Sequence, residues 1–350
     1  MELDLLPTPL LLKREIPTEE RHSAFVSRSR ETIQDILEGR DPRILLVIGP
    51  CSVHDQHSIV EYARRLKELS SELDSVFVVL RTYFEKPRTL HGWKGLLYDP
   101  HLDSSHDIAQ GLRLTRHILT QMAEIEIPCA TEFLDPLTHI YFNELISWGC
   151  VGARTASSQP HRQMASGLEM PVGFKNSTSG CIDTAINAVI SARAPHSFVG
   201  VCPVSGKLAT VQTQGNPLAH VILRGSQAAT NFAPEDVNWV IDRMCDRLVD
   251  PCVLVDCSHD NSRKDFRQQG DVFRTVTHQL CHGRSEVKGL MLESHLRAGK
   301  QQLGASPEGL HYGVSITDAC MGWEETEDLV LWADDLLREA RKQTCEVAGQ

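Results

Sequence analysis

Nine short apolar runs, separated mostly by stretches of helical periodicity, constrain this 350-residue chain more than any other feature. They fall at 43–49, 75–82, 127–133, 149–155, 170–176, 197–202, 219–225, 252–259 and 287–294. Several, such as RILLVIG and CVLVDCSH, are apolar at both odd and even positions, the pattern of strands buried on two faces. Helical stripes lie between them: Ile59, Ala63 and Leu66; Ile182, Ile186 and Val189; Val237, Ile241, Met244 and Leu248; and Leu329, Ala333, Leu336 and Ala340. Nine runs exceed an eightfold barrel by one. The stretch after residue 202, PVSGKLATVQTQGNPL, has a turn signal at Ser205-Gly206 and no amphipathic helix, so 197–213 reads as an inserted β-hairpin. The expectation is one α/β (β/α)8 TIM barrel, residues 41–345, behind an N-terminal extension, residues 1–40, with an oligomeric or regulatory role. An open doubly wound sheet is the structural alternative.

In such a barrel the C-terminal ends of the strands converge on one face. Here they deliver Cys51, Arg81 with EKPR beyond it, Glu132, Arg154, Lys175, Arg224, Asp256 with His259, and Glu293. A bland barrel could end its strands in Ser, Asn or Gly, so the run of reactive groups points to a catalytic mouth. The set divides in two. Arg81, Lys86, Arg88, Lys94, Arg154, Lys175 and Arg224 gather cations in a chain whose formal charge is −11, and such a concentration calls for phosphate or carboxylate ligands. Structural salt bridges account for one or two of these cations, not seven. Cys51, His259 and Glu293, with Asp318 in SITDACMGWE as a further carboxylate, suit a divalent transition metal better than calcium or magnesium. The plain alternative for Cys51 is a small buried core residue, and for Asp318 a cap or turn.

The acidic balance argues against general affinity for nucleic acid or anionic membranes. Eleven cysteines at irregular spacings, without a CxxC pair, fit a reducing compartment. The start, MELDLLPTPLLLKREIP, lacks the basic, uninterrupted pattern of a signal peptide, and no run approaches a membrane span. A cytoplasmic location follows as an expectation.

The motifs IGPCSVHD, RTYFEKPRT, GWKG, ATEFLD, ISWGCVGART, ASGL, PVGFKN, ILRG, DCSHDNS, LESH and SITDACMGWE resemble the type I 3-deoxy-D-arabino-heptulosonate 7-phosphate (DAHP) synthases, in the branch regulated by aromatic amino acids. The resemblance runs in order from about residue 8 to residue 340. It implies condensation of phosphoenolpyruvate with D-erythrose 4-phosphate to DAHP and phosphate, the first step of the shikimate pathway. It also implies one divalent metal per subunit (manganese, iron, cobalt or zinc) on Cys51, His259, Glu293 and Asp318. Phosphoenolpyruvate contacts fall on Arg81, Lys86, Arg154, Lys175 and Arg224. Arg88 and Thr89 are similar to the aldose-phosphate site, with Lys94 and Glu132 in the same substrate region, and Lys86 is the expected proton donor to the new hydroxyl. A homodimer or homotetramer is expected, built partly through the extension.

The pattern departs from the family at Ser177 and Ser179, where Gly and Asp are usual, and in the effector region formed by His139, Met164, Leu168 and Glu169. His139 stands where Pro is frequent, and Glu169 where a small residue is common. A carboxylate at Glu169 is expected to repel the carboxylate of an amino-acid effector, which predicts weak or absent inhibition. Three rival readings are a 3-deoxy-octulosonate 8-phosphate synthase, which would carry a KANRS pattern in place of KPRT; a Schiff-base aldolase using Lys175; and a non-catalytic regulatory barrel.

Overall fold

The computed structural model describes residues 3–88, 90–304 and 307–348. Ten strands follow in chain order: β1 (Ile44–Gly49), β2 (Val76–Arg81), β3 (Cys129–Glu132), β4 (Trp148–Val151), β5 (Val172–Lys175), β6 (Ser197–Val201), β7 (Leu208–Gln212), β8 (His220–Leu223), β9 (Val253–Asp256) and β10 (Val287–Glu293). Eight close into a barrel in the order β1-β10-β9-β8-β5-β4-β3-β2, and every pairing around the ring is parallel. The other two, β6 and β7, form the antiparallel hairpin expected from 197–213.

The two apolar parities of the strands build two cores. Leu45 and Val47 of β1 join Val79, Ala130, Trp148, Ile222, Leu254 and Met291 inside the barrel. Their neighbours Ile44, Leu46 and Ile48 pack outward under the helices. The interior also holds His220, whose Nε2 accepts from Trp148 Nε1 at 3.2 Å while Nδ1 donates to the Leu218 carbonyl at 2.8 Å. Burial pushes its pKa down to about 4, so the imidazole stays neutral and both of its nitrogens are satisfied.

Helices α1 (Pro9–Glu15) and α2 (Glu20–Glu38) precede the barrel. Thr8 caps α1, accepting from Leu11 N at 3.2 Å, with Pro9 in the first turn. Ile33 and Ile36 of α2 join the interior cluster, so α2 covers one end of the barrel. Each buried isoleucine contributes roughly 1.5–3 kcal/mol. The outer helices are α3 (Gln56–Ser70), α4 (Ile108–Ile125), α5 (Gln159–Ala165), α6 (Ile182–Arg193), α7 (Pro234–Asp246), α8 (Gln269–Cys281) and α9 (Trp323–Ala348). On α4 the buried Arg116 bonds Ile16 O at 2.7 Å, Thr18 Oγ1 at 2.9 Å and Tyr141 O at 3.0 Å, fixing the extension to the barrel wall.

Two of the helical stripes shift. α7 ends at Asp246, and Leu248 lies beyond it at φ 57°, 96% exposed; Val237, Val240 and Met244 form the buried face. On α9 the buried position is Leu337, with Leu336 only half-buried. In both cases an adjacent apolar residue fits the core-facing stripe better than the one the spacing selected.

Candidate active site at the barrel mouth

The turn out of β1 places Cys51. Gly49, at φ 153°, passes so close to β2 that a Cβ there would lie 2.9 Å from Arg81 O. The chain then continues through Pro50 to Cys51, which is fully buried. Arg81 ties the turn down, with Nε donating to Pro50 O at 3.0 Å and Nη2 to Cys51 O at 3.2 Å and to Glu293 Oε1 at 2.8 Å. Its Nη1 is buried with no acceptor among the described residues, an unused donor.

Cys51 Sγ, Glu293 and Asp318 place ligand atoms within 4.8 Å of one another. His259, the fourth expected ligand, lies beside this group and is not part of it: Nε2 stands 4.0 Å from Glu293 Oε1, while Nδ1 faces Asp256 Oδ2 at 2.9 Å and Ser258 Oγ at 2.7 Å. Gln269 fixes Glu293 by accepting from its N–H at 2.8 Å and donating to its carbonyl at 3.1 Å. A thiol, an imidazole and two carboxylates fit a divalent transition metal, and the outer contacts orient them as such sites require. Burial, followed by Glu293, pushes the Cys51 thiol up to about 12, so a strong local cation is needed to make it a thiolate. The Lys86 ammonium spans this set, 2.8 Å from Cys51 Sγ and 2.8 Å from Asp318 Oδ2. Burial opposes its charge, yet Cys51 and Asp318 raise its pKa above the usual lysine range.

The mouth cavity has a volume of about 510 Å³. Arg81, Lys86, Arg88, Arg154, Lys175 and Arg224 line it, together with Glu132, His259, Glu293 and Asp318. Lys175 Nζ bonds Asp256 Oδ2 at 2.8 Å. Burial disfavours both charges, but each holds the other ionised: Lys175 lies above its usual pKa and Asp256 well below.

Comparison with known proteins decides the family. The model described as the DAHP synthetase I family matches residues 18–331. The chain belongs to the DAHP synthetase I family. It is 48% identical over 347 residues to the Tyr-sensitive phospho-2-dehydro-3-deoxyheptonate aldolase of Salmonella typhimurium, covering 99% of this chain and 94% of that one. It is 47% identical over 328 residues to the Phe-sensitive enzyme of Escherichia coli K12, covering 93% of each. The solved structure of phospho-2-dehydro-3-deoxyheptonate aldolase from Francisella tularensis superposes with a TM-score of 0.93 at 41% identity, covering 96% of this chain and 98% of that chain. The barrel and the reaction expected from the resemblance are those of the DAHP synthetase I family.

Within this DAHP synthetase I fold some expected site residues fall elsewhere. Lys94 is exposed and absent from the cavity wall; its carbonyl accepts from Lys86 N at 2.8 Å, so it shapes the loop through its backbone. Thr89 lies outside the described residues. His139, Met164 and Leu168 line a second cavity, about 710 Å³, with Phe198 and Val211 from the hairpin. Glu169 is not in its wall. Its carboxylate turns to Arg30 of α2, 2.8 Å from Nη1, and is 78% exposed. Arg30 also bonds Ile146 O and Asn143 O, and this fixed guanidinium draws Glu169 outward. Repulsion of an effector by Glu169 therefore has no support in this geometry.

Sequence reading assigned no role to Asp256, Asp260 or Gln269. DCSHDNS carries the first two, but which cation each carboxylate meets is not written in the motif.

Proposed function

We propose that the mouth cavity carries out the condensation that defines the family: phosphoenolpyruvate and D-erythrose 4-phosphate join to give DAHP and inorganic phosphate, the first step of the shikimate pathway. The observation that carries this reading is the convergence of eight lysine and arginine side chains on one cavity lined also by Glu293 and Asp318, with Cys51 grouped beside those two carboxylates.

Arg81, Arg154, Lys175 and Arg224 bind the phosphate and carboxylate of phosphoenolpyruvate, and Arg88 binds the aldose phosphate. Cys51, His259, Glu293 and Asp318 would hold one divalent metal, which would supply Lewis acidity for the condensation. The methylene carbon of phosphoenolpyruvate attacks the aldehyde carbon, water adds to the adjacent carbon, and phosphate leaves with its bridging oxygen. Lys86 enters as an ammonium, gives a proton to the oxygen that becomes the new hydroxyl, and is reprotonated by the proton that the added water releases. Lys175, locked as an ammonium against Asp256, serves as an anion ligand and not as a Schiff-base nucleophile.

The test measures phosphoenolpyruvate consumption with a four-carbon and a five-carbon aldose phosphate, with and without chelator. Consumption should require erythrose 4-phosphate, stop with chelator and return with manganese, iron, cobalt or zinc. Turnover only with the pentose phosphate, or turnover insensitive to chelator, overturns the reading.

The second cavity supports an aromatic amino-acid effector, because its walls are largely apolar and its one titratable group, His139, is pushed down to about 4 by burial and stays neutral. The exposed Leu3, Leu5, Val199 and Leu208, on the extension and the hairpin, support a homodimer or homotetramer built through these segments. The ten described cysteines are all unpaired, which supports a cytoplasmic location, and no described helix is long and apolar enough to cross a membrane.

A further inference from the structure

Four cations at the mouth form tight ion pairs with carboxylates, at 2.8 Å or closer, and three of those carboxylates already have another task. Glu293 and Asp318 belong to the metal set, and Asp256 orients His259. Asp260 is different. Its Oδ2 bonds Arg224 Nη1, with the two side chains 8% and 7% exposed. Its other oxygen stands 3.7 Å from Lys264 Nζ, on a side chain that is 65% exposed. The close approach of the loops after β8 and β9 fixes this arrangement, since a Cβ on Gly225 would lie 2.7 Å from Asn261 N. Arg224, Asp260 and Lys264 all line the mouth cavity.

A carboxylate bound to an arginine inside an anion pocket occupies the place of the anion. We propose that Asp260 is an internal surrogate for the substrate's anionic group: it holds Arg224 while the site is empty and turns to Lys264 when phosphoenolpyruvate arrives. This rests on the reading of Arg224 as a phosphoenolpyruvate ligand. Asp260 thus sets how tightly the site holds its anions and is a positioning residue, not a catalytic one. A like charge beside the bound phosphate weakens binding. An arginine left bare in the empty site would be a buried charge without a partner, which the pairing avoids. The same exchange favours departure of inorganic phosphate, because Asp260 returns to the guanidinium as the product leaves. Lys264 makes the movement possible by receiving the displaced carboxylate without leaving it unpaired.

Three variants and direct binding measurements test this. Asp260→Asn keeps the shape and an acceptor but removes the charge. It should bind phosphoenolpyruvate about tenfold more tightly by calorimetry, a gain equal to roughly 1.4 kcal/mol, lower the KM for that substrate, and be inhibited more strongly by inorganic phosphate. Asp260→Glu should restore the weaker affinity. Lys264→Ala should weaken phosphoenolpyruvate binding in the wild-type background and have no effect in the Asp260→Asn background, a coupling that a purely structural role does not produce. Weaker binding in Asp260→Asn, or unchanged affinity with an undisturbed thermal transition, overturns the proposal and makes Asp260 only a support for Arg224. Should Asp260→Asn not fold, equal effects of Lys264→Ala on affinity at low and high phosphate would overturn it instead. Arg224→Ala separates the two levels: if it leaves phosphoenolpyruvate affinity intact, the ligand reading of Arg224 has failed; if it costs affinity while Asp260→Asn gains none, only the surrogate has failed.

Discussion

At the mouth, four cations make tight pairs with carboxylates from other strands or loops: Arg81 with Glu293, Lys86 with Asp318, Lys175 with Asp256, Arg224 with Asp260. The second cavity, lined by α5 and the β6–β7 hairpin, has a single titratable group in its described wall, the neutral His139. The mouth pairs its charges across strands and loops, so on the proposed reading an incoming anion would exchange partners there instead of meeting bare charges. The side cavity offers no such exchange, and its largely apolar wall would suit an apolar group. Glu85 stands between the two. It directly precedes Lys86, and its Oε2 accepts from Leu134 N at 3.3 Å and Thr138 Oγ1 at 3.4 Å, the latter beside His139. Two neighbouring pockets can therefore answer to different chemistry because one wall carries the charge and the other excludes it.

The sharpest way to break the contrast is at the metal set. Cys51→Ala should abolish metal uptake and reduce turnover on the order of a thousandfold or more at low metal, about 4 kcal/mol of transition-state stabilisation, while circular dichroism stays native. Normal turnover at limiting metal would return Cys51 to the role of a core residue.

Next comes the partition itself. Burial, then the nearby Asp135, pushes the Glu85 carboxyl up to about 8 from its ordinary 4.5, with the Leu134 N–H acting against them. Folding therefore takes up a proton. The stability from this group is complete below pH 4.5 and is lost as pH rises toward 8, on the order of 5 kcal/mol in full. Glu85→Gln should remove that dependence, so urea unfolding at pH 6 and pH 9 should show the variant gaining on the wild type at the higher pH. An equal difference at both pH values would mean the carboxyl is not neutral in the fold.

Within the mouth, Arg154→Ala should weaken phosphoenolpyruvate binding by roughly 1.5–3 kcal/mol, the scale of a charge-assisted hydrogen bond. Arg88→Ala should weaken chiefly the aldose phosphate by a similar amount. Equal effects of both variants on both substrates would merge the two anion sites into one.

The smallest effect is expected at Glu169. Because Arg30 holds its carboxylate outside the side cavity, Glu169→Ser should shift the response to phenylalanine, tyrosine or tryptophan by less than about threefold, under 0.7 kcal/mol. A tenfold or larger gain in inhibition would show that the carboxylate does reach an effector.

Strand periodicity made the barrel legible. Leu45 and Val47 alternate with Ile44, Leu46 and Ile48 because a strand's two faces are fixed by its backbone, and apolar residues on both faces demand packing on both. The strand ends were legible for the same reason, since a parallel barrel sends every C-terminal end to one face. The pairing of side chains was not. Asp260 reaches Arg224, Glu169 leaves its cavity for Arg30, and Lys94 falls outside the mouth only because segments 36, 139 and 8 residues apart, Lys86 to Lys94 included, pack in one particular way. Sequence alone determined the framework and the stock of reactive groups, because those follow from local backbone geometry repeated eight times. Tertiary structure decided which cation each carboxylate neutralises, because that depends on distances between loops that no local pattern records.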